Sequence, residues 1–184
     1  MNYYQVVDDD MPGILVTDKE DFYGFDEWEL TRIKFIDNWN PKITLYSCYD
    51  GRPQAAWSHS SWEVASPELI KAFKDADIQG IQWLPLRIIR MDGKELKGFH
   101  AINILNSFSA YDVVDFPMCY PPATKKIKDL WHIVRYAFYE DKIKQFDIFR
   151  LKEKKLWVFV SQKIKDIFKK NRFDGWGFTK VPTT

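Results

Sequence analysis

The residues able to do chemistry in this sequence are few, and their spacing excludes most reactions. The three histidines, His59, His100 and His132, stand 41 and 32 residues apart. No pair has the H-x-x-H or H-E-x-x-H spacing, and a tetrahedral zinc site needs three or four ligands with local spacing. No metal site is therefore read. A nucleophilic thiol needs a His base that a third group orients. Cys48 could meet His59 or His100 in three dimensions, but neither Cys48 nor Cys119 sits in a recognisable local signature, and a structural thiol is the favoured reading. Asp8-Asp9-Asp10 could attract a hard cation, yet Ca²⁺ takes six to eight oxygens from a shaped loop and no such pattern follows. An exposed acidic run is the simpler reading. Eight glycines leave no room for a phosphate-cradling loop, and Gly175-x-Gly177 reads as a turn. Lys163, Lys165, Lys169, Lys170 and Arg172 could face a phosphate backbone with Trp176 stacking on a base, but such a helix more often shows its polar face to water. No catalytic residue, cofactor site or nucleic-acid partner is expected.

One stretch has an unusual composition. From Asp18 to Glu29 the acids Asp18, Glu20, Asp21, Asp26, Glu27 and Glu29 interleave with Phe22, Tyr23, Phe25 and Trp28. Aromatic anchors ringed by charge resemble the core and rim of a protein interface. Alternatively, the aromatics plug the edge of the core and the acids lie in water. Both readings stay open. If the patch is a contact surface, reversing Glu20, Asp21, Glu27 and Glu29 together should abolish binding to a partner.

The elements that position these residues read as α+β, an antiparallel sheet with two or three helices in a single domain spanning 1–184. Residues 1–60 look loop-rich, with short strands at Tyr3–Val7, Ile14–Val16 and Ile43–Ser47 and turn signals at Pro12-Gly13 and Asp50-Gly51. Ser66-Pro67-Glu68 starts a helix: Ser caps free N–H groups, Pro fits the first position and Glu favours the positive end of the dipole. Leu69, Ile70 and Phe73 give it an apolar face, and it should end near Asp77. Ile78–Arg90 and Lys97–Leu105 form a hairpin about Asp92-Gly93, with Pro85 marking an edge or a bulge. Ile127–Tyr139 is ambiguous between strand and helix. Phe146–Arg150 and Leu156–Val160 are strands, Ser161 caps a helix that stops near Asn171, and Phe173–Phe178 leads into a last short strand.

Of 184 residues, 46% are hydrophobic and 29% charged, close to the globular average. A disordered chain would have fewer apolar residues or a larger net charge. The 27 Lys and Arg nearly cancel 26 Asp and Glu, which argues against binding nucleic acid through overall charge. The charge is uneven, however. Residues 1–30 hold nine acids and one base, and residues 121–184 hold sixteen bases and seven acids. Either the two ends lie together and neutralise each other, or one pole meets a partner of opposite sign. Two Cys exclude a disulfide framework and fit a reducing compartment. The N-terminus lacks the basic and apolar regions of a signal peptide. The longest clean apolar run, Leu156–Val160, has five residues, whereas a bilayer-spanning helix needs about 20. A soluble cytoplasmic protein is expected, with no membrane partner.

From Ser66 to Val181 the order of features resembles a known bacterial family. Ser66–Asp77 opens as its helix does. Gly80-Ile81-Gln82-Trp83-Leu84-Pro85-Leu86 resembles one of its strands and Phe99-His-Ala-Ile-Asn103-Ile-Leu105 a second. Ser109–Asp115 stands where an Asp-rich segment follows, and Asp147-Ile-Phe-Arg150 resembles a third strand. Val158-Phe-Val-Ser161, a helix and Phe173-Asp-Gly175-Trp-Gly-Phe178 resemble its closing element. The family comprises immunity proteins of polymorphic toxin systems, the eleventh named group, first described as a domain of unknown function. Residues 1–60 align with no motif of it, and 106–145 is unusually aromatic and basic. The resemblance implies a cytosolic antidote that binds a cognate protein toxin, encoded next to it, and blocks it without catalysis. It implies no catalytic residues, and Asn103 and Arg150 read as polar groups that hold the fold. The competing readings are a small-ligand or peptide-binding module with an aromatic-lined pocket, motivated by 31 aromatic residues, and an enzyme built on a Cys/His pair.

Overall fold

The computed structural model describes residues 1–9, 15–59 and 62–184. The first half contains β1 (Tyr3–Asp8), β2 (Leu15–Asp21), a 3-10 turn (Glu27–Thr31), β3 (Thr44–Asp50), β4 (Ala56–His59), β5 (Trp62–Ala65), α1 (Pro67–Asp75), β6 (Ile81–Pro85) and β7 (Arg87–Ile89). Then follow β8 (Glu95–Leu96), β9 (His100–Ile104), β10 (Ser107–Phe108), α2 (Ala110–Val113), a 3-10 turn (Phe116–Met118), α3 (Ile127–Leu130), α4 (Glu140–Ile143), β11 (Ile148–Leu151), β12 (Lys154–Ser161), α5 (Gln162–Asn171) and β13 (Trp176–Val181).

Strand alternation sets the layering. Successive side chains of a strand point to opposite faces. Tyr3, Phe149 and Phe159 therefore enter one apolar cluster, while Tyr4, Ile148, Val158 and Val160 enter another. The sheet that carries them has the order β10-β11-β12-β1-β13. A second sheet, β4-β5-β9-β6, gives Ala56, Ala65, Ile102 and Ile104 to that second cluster and Trp57, Val64 and Ala101 to a third. The third sheet, β2-β3-β7-β8, covers the third cluster with Leu15, Leu45 and Ile88. Helices α1 and α5 fill the second cluster through Leu69, Phe73, Ile164 and Phe168.

The α+β class holds, but the single antiparallel sheet does not. Among the described residues there are three sheets, with parallel pairs at β3/β7 and β10/β11. The expected Ile78–Leu105 hairpin is what divides them. Its outer half pairs β6 with β9, and its inner half pairs β7 with β8 in a different sheet. The switch is at Leu86, whose N–H donates to Phe99 before the N–H of Arg87 donates to Ile43. Pro85 ends β6 at the edge of its sheet, where its missing N–H is tolerated. Residues 127–139 are neither strand nor long helix. They form the single turn α3 and isolated bridges from Arg135 to Tyr120 and from Phe138 to Val114. Residues 1–60 hold more strand than expected, because β2 runs through Asp21. Pro12-Gly13 and Ile14 lie outside the described residues.

The helix starts follow from local chemistry. The Ser66 hydroxyl accepts the Leu69 N–H at 3.2 Å, and Pro67 occupies the first turn of α1. Ser161 stands at the start of α5, but its hydroxyl donates to Asp147 Oδ1 at 2.6 Å instead of capping. The left-handed residue that ends α5 is Arg172, at φ 54°, and not Asn171. Beyond it, Asp174 and Gly175 clamp the start of β13 onto β4. Asp174 Oδ1 accepts the Ala55 N–H at 3.0 Å. Gly175 has φ +99°, and a Cβ there would lie 1.5 Å from the Ala56 carbonyl oxygen, so only glycine fits.

Asn103, Glu63 and Arg150 are among the polar side chains buried in the fold. Asn103 Nδ2 donates to the Lys34 carbonyl at 2.9 Å and to Gln82 Oε1 at 2.8 Å. That ties the 31–36 loop to the second sheet and supports the fold-holding role expected for Asn103. Glu63 of β5 accepts from Trp176 Nε1 at 2.9 Å and from the Ser58 hydroxyl. Arg150 of β11 is 1% exposed, and its three guanidinium nitrogens have no hydrogen-bond partner among the described residues.

Candidate functional site

The acidic aromatic segment divides into an edge strand and a tight turn. Asp18, Glu20 and Asp21 lie on β2, at the edge of its sheet, where charge discourages pairing with another chain. The β2/β3 register slips between Val16 and Lys19, leaving Asp18 opposite no residue of β3. Phe22 and Phe25 pack against the third cluster and make edge-on contacts with Trp62 and Trp39. Tyr23 and Trp28 are exposed. The segment thus contains both kinds of aromatic, core plugs and free anchors.

Most of its acids are engaged locally. Asp21 accepts the Tyr23 N–H at 2.9 Å, and Asp26 accepts the Trp28 N–H at 3.1 Å, capping the 3-10 turn. Glu27 accepts Trp62 Nε1 at 3.3 Å. Glu29 pairs with Lys34 and Arg32, and the Lys34 ammonium beside it holds its carboxyl below the usual range. Strand β1 lies between β12 and β13, so the acidic and basic ends are neighbours. Even so, no ion pair among the described residues joins an acid of 1–30 to a base of 121–184. Direct pairing does not neutralise the two poles.

Two concavities border the segment. One, of about 340 Å³, lies beside β2 and β4 and is lined by Asp8, Asp9, Asp18, Glu20, Trp57 and His59, among others. His59 is 6% exposed. Its Nδ1 lies 3.1 Å from the Thr17 hydroxyl, and its Nε2 lies 3.7 Å from Glu20 Oε2. Burial lowers its pKa despite Glu20 and Glu27, so it is neutral at pH 7.

The other is a groove of about 290 Å³ walled by Trp28, Trp131, Trp157 and Leu156, with Lys152, Lys154 and Lys155 beside them. Trp28 is 57% and Trp131 68% exposed. Lys154 Nζ sits 4.0 Å from the Trp131 ring centroid and 4.9 Å from that of Trp157, a cation–π arrangement. Burial pushes its pKa down. Sequence reasoning singled out Trp28 and missed Trp131 and Trp157. No local pattern unites them, because β12 and the α3 region bring the latter two to Trp28 from about a hundred residues away.

Cys48 is exposed on β3 and Cys119 buried. The Cys48 thiol donates to the Val16 carbonyl and the Cys119 thiol to that of Asp115. Burial pushes the Cys119 thiol up, away from reactivity. His100 bonds the Gly98 carbonyl. Among the described residues, no group of three or more His, Cys, Asp or Glu is arranged to hold a metal ion. Nor is any helix there long and apolar enough to cross a membrane.

Residues 11–183 match the immunity protein family Imm11. The chain belongs to the Imm11 family. The match takes in β2 and the whole acidic aromatic segment, so it extends beyond the 66–181 span on which the resemblance was first read. No curated protein sequence matches the chain.

Proposed function

We propose that this Imm11 protein neutralises a cognate protein toxin by binding it in the cytoplasm, without chemistry of its own, and that its 184 residues act as a single domain. The observation that carries the reading is the family match over nearly the whole chain. The surface supports it. Exposed Trp28 and Trp131 flank a groove, and such aromatics dominate the energetics of many interfaces. The proposed contact surface is the segment Asp18, Glu20, Asp21, Phe22, Tyr23, Phe25, Asp26, Glu27, Trp28 and Glu29, extended by Trp131 and Leu156. Within it Phe22 and Phe25 support the surface from beneath, and Tyr23 and Trp28 meet the partner.

The test is co-purification of the tagged protein with the product of the neighbouring gene in its operon. A stoichiometric complex, formed with a polypeptide that is toxic when expressed alone, is the expected result. Failure to bind that product or to rescue growth would refute the reading. It would favour the second one, in which the tryptophan-walled groove binds a peptide or small ligand. That alternative rests on the 290 Å³ groove itself.

A further inference from the structure

The acidic cleft beside β2 and β4 contains features the fold does not account for. Among the described residues, its carboxylates are Asp8, Asp9, Asp18 and Glu20, all from the acid-rich first thirty residues, and no Lys or Arg lines it. Like charges gathered in a partly enclosed space repel one another, and a bound cation relieves that repulsion. One buried polar atom on its wall also lacks a hydrogen bond among the described residues: His59 Nε2, whose nearest charged neighbour is Glu20 Oε2 at 3.7 Å, although such groups are nearly always satisfied in folded proteins. His59 contributes no positive charge, because burial keeps it neutral. Its aromatic wall is packed from behind: Trp57 meets Phe99 edge-on, and His59 meets Trp62. At about 340 Å³ the cleft is at the small end of ligand sites and suits one long side chain.

We propose that this cleft seats a single cationic side chain, arginine or lysine, presented by the toxin. The proposal rests on the immunity reading and deepens it by naming the chemistry of the contact. The cation lies among Asp8, Asp9, Asp18 and Glu20. The aliphatic stem packs on Trp57, as long basic side chains cover apolar surface while keeping the charge with its partners. In the tautomer with the proton on Nδ1, His59 Nε2 accepts an N–H from the incoming group.

The experiment has two arms, so that the two ideas can fail separately. First, the protein alone is titrated with acetyl-arginine amide, with acetyl-citrulline amide as the uncharged control, while the His59 ring and Trp57 indole signals are followed by NMR. The expected result is a saturable shift at both residues, at least ten-fold weaker with citrulline. No shift at these residues, or an equal response to the two probes, overturns the proposal. Second, the affinity of the co-purified toxin is compared for the wild type and the Asp18→Asn/Glu20→Gln variant, with Asp9→Asn as a further variant, because the Asp9 hydrogen bonds run through its backbone. A loss of about 10- to 100-fold with a shallower salt dependence is expected. Equal affinity sinks the cleft proposal and leaves the immunity reading intact. If no polypeptide binds the wild type, the immunity reading fails and the arginine titration alone decides the cleft.

Discussion

Replacing either member of the buried Glu63–Arg150 pair should have unequal consequences. The two side chains face each other from different sheets across the second apolar cluster. They are not in ion-pair contact, yet each shifts the other: Arg150 holds the Glu63 carboxyl down against the larger upward push of burial, and Glu63 offsets the burial that lowers Arg150. Their supports differ. Glu63 has Trp176 Nε1 and the Ser58 hydroxyl, whereas the Arg150 guanidinium has no hydrogen bond among the described residues. Glu63 can also take up a proton, but a guanidinium stays charged. Glu63→Gln keeps the shape and the acceptor for Trp176 while leaving Arg150 without its countercharge. Stranding a buried charge costs about 3–5 kcal/mol, a large part of the roughly 5–15 kcal/mol that stabilises a domain. Arg150→Met removes the unpaired group and leaves a carboxyl that can neutralise itself, for about 1–2 kcal/mol.

Urea denaturation followed by far-UV circular dichroism, at pH 7, measures both variants and the double variant. Glu63→Gln should be the less stable single variant. Adding Arg150→Met to it should restore stability, giving a coupling of about 2–4 kcal/mol. The pH dependence supplies a second signature. With Arg150 gone, the folded Glu63 carboxyl titrates above its unfolded value. Its stabilising contribution is then complete below the unfolded pKa and is lost as pH rises through the folded one. Arg150→Met should therefore gain stability on acidification relative to the double variant. If Glu63→Gln is no worse than Arg150→Met, or the coupling falls below about 0.5 kcal/mol, the electrostatic account of this layer is wrong.

Gly175→Ala should cost more than about 3 kcal/mol or prevent folding, because φ is positive and a Cβ meets the Ala56 carbonyl. Gly24→Ala, also at positive φ but with nothing within 4 Å, should cost only about 1–2 kcal/mol in the same thermal melts. Phe73→Ala should destabilise by about 3–5 kcal/mol in urea, since Phe73 is fully buried against Trp83, Phe168 and Trp176. Trp28→Ala and Trp131→Ala should each weaken toxin binding by about 2 kcal/mol or more in calorimetry while leaving the melting temperature nearly unchanged, because both rings are largely exposed.

Local chemistry was legible in the sequence wherever one residue decides an element. Ser66-Pro67 started α1 as read, since a hydroxyl and a proline at those positions satisfy and pre-form the first turn. Pro85 marked a sheet edge for the same kind of reason. Sheet membership was not legible. The stretch 78–90 alternates as one strand, and only the change of partner at Leu86, from Phe99 to the chain at Ile43, divides it between two sheets. Ser161 shows the converse. It has the residue type and position of a cap, but Asp147 competes for its hydroxyl and wins. The Trp131–Trp157–Trp28 groove had no local signal, because it exists only once distant segments meet.

The acidic segment shows how far counting charges goes and what geometry adds. Six acids in twelve residues suggest a large negative surface, and reversing Glu20, Asp21, Glu27 and Glu29 together looks like its natural test. The structure makes that test ambiguous. Glu27 holds the Trp62 indole, and Glu29 binds Arg32 and Lys34. Basic residues there would set cation against cation and unsettle the turn beneath Trp28, so lost binding could report lost structure. Asp18 and Glu20 are different. They face the cleft, and Asp18 occupies a bulge with no ladder partner. Neutralising those two should leave the melting temperature within about 2 °C, as surface changes usually shift stability by less than about 0.5 kcal/mol. The four-fold reversal should lower it by several degrees, at about 2–4 °C per kcal/mol lost for a chain of this size. A differential-scanning measurement in which both variants melt like the wild type would show that the acids of the turn are not engaged as their hydrogen bonds indicate, and the whole twelve-residue segment would again be a candidate charged surface.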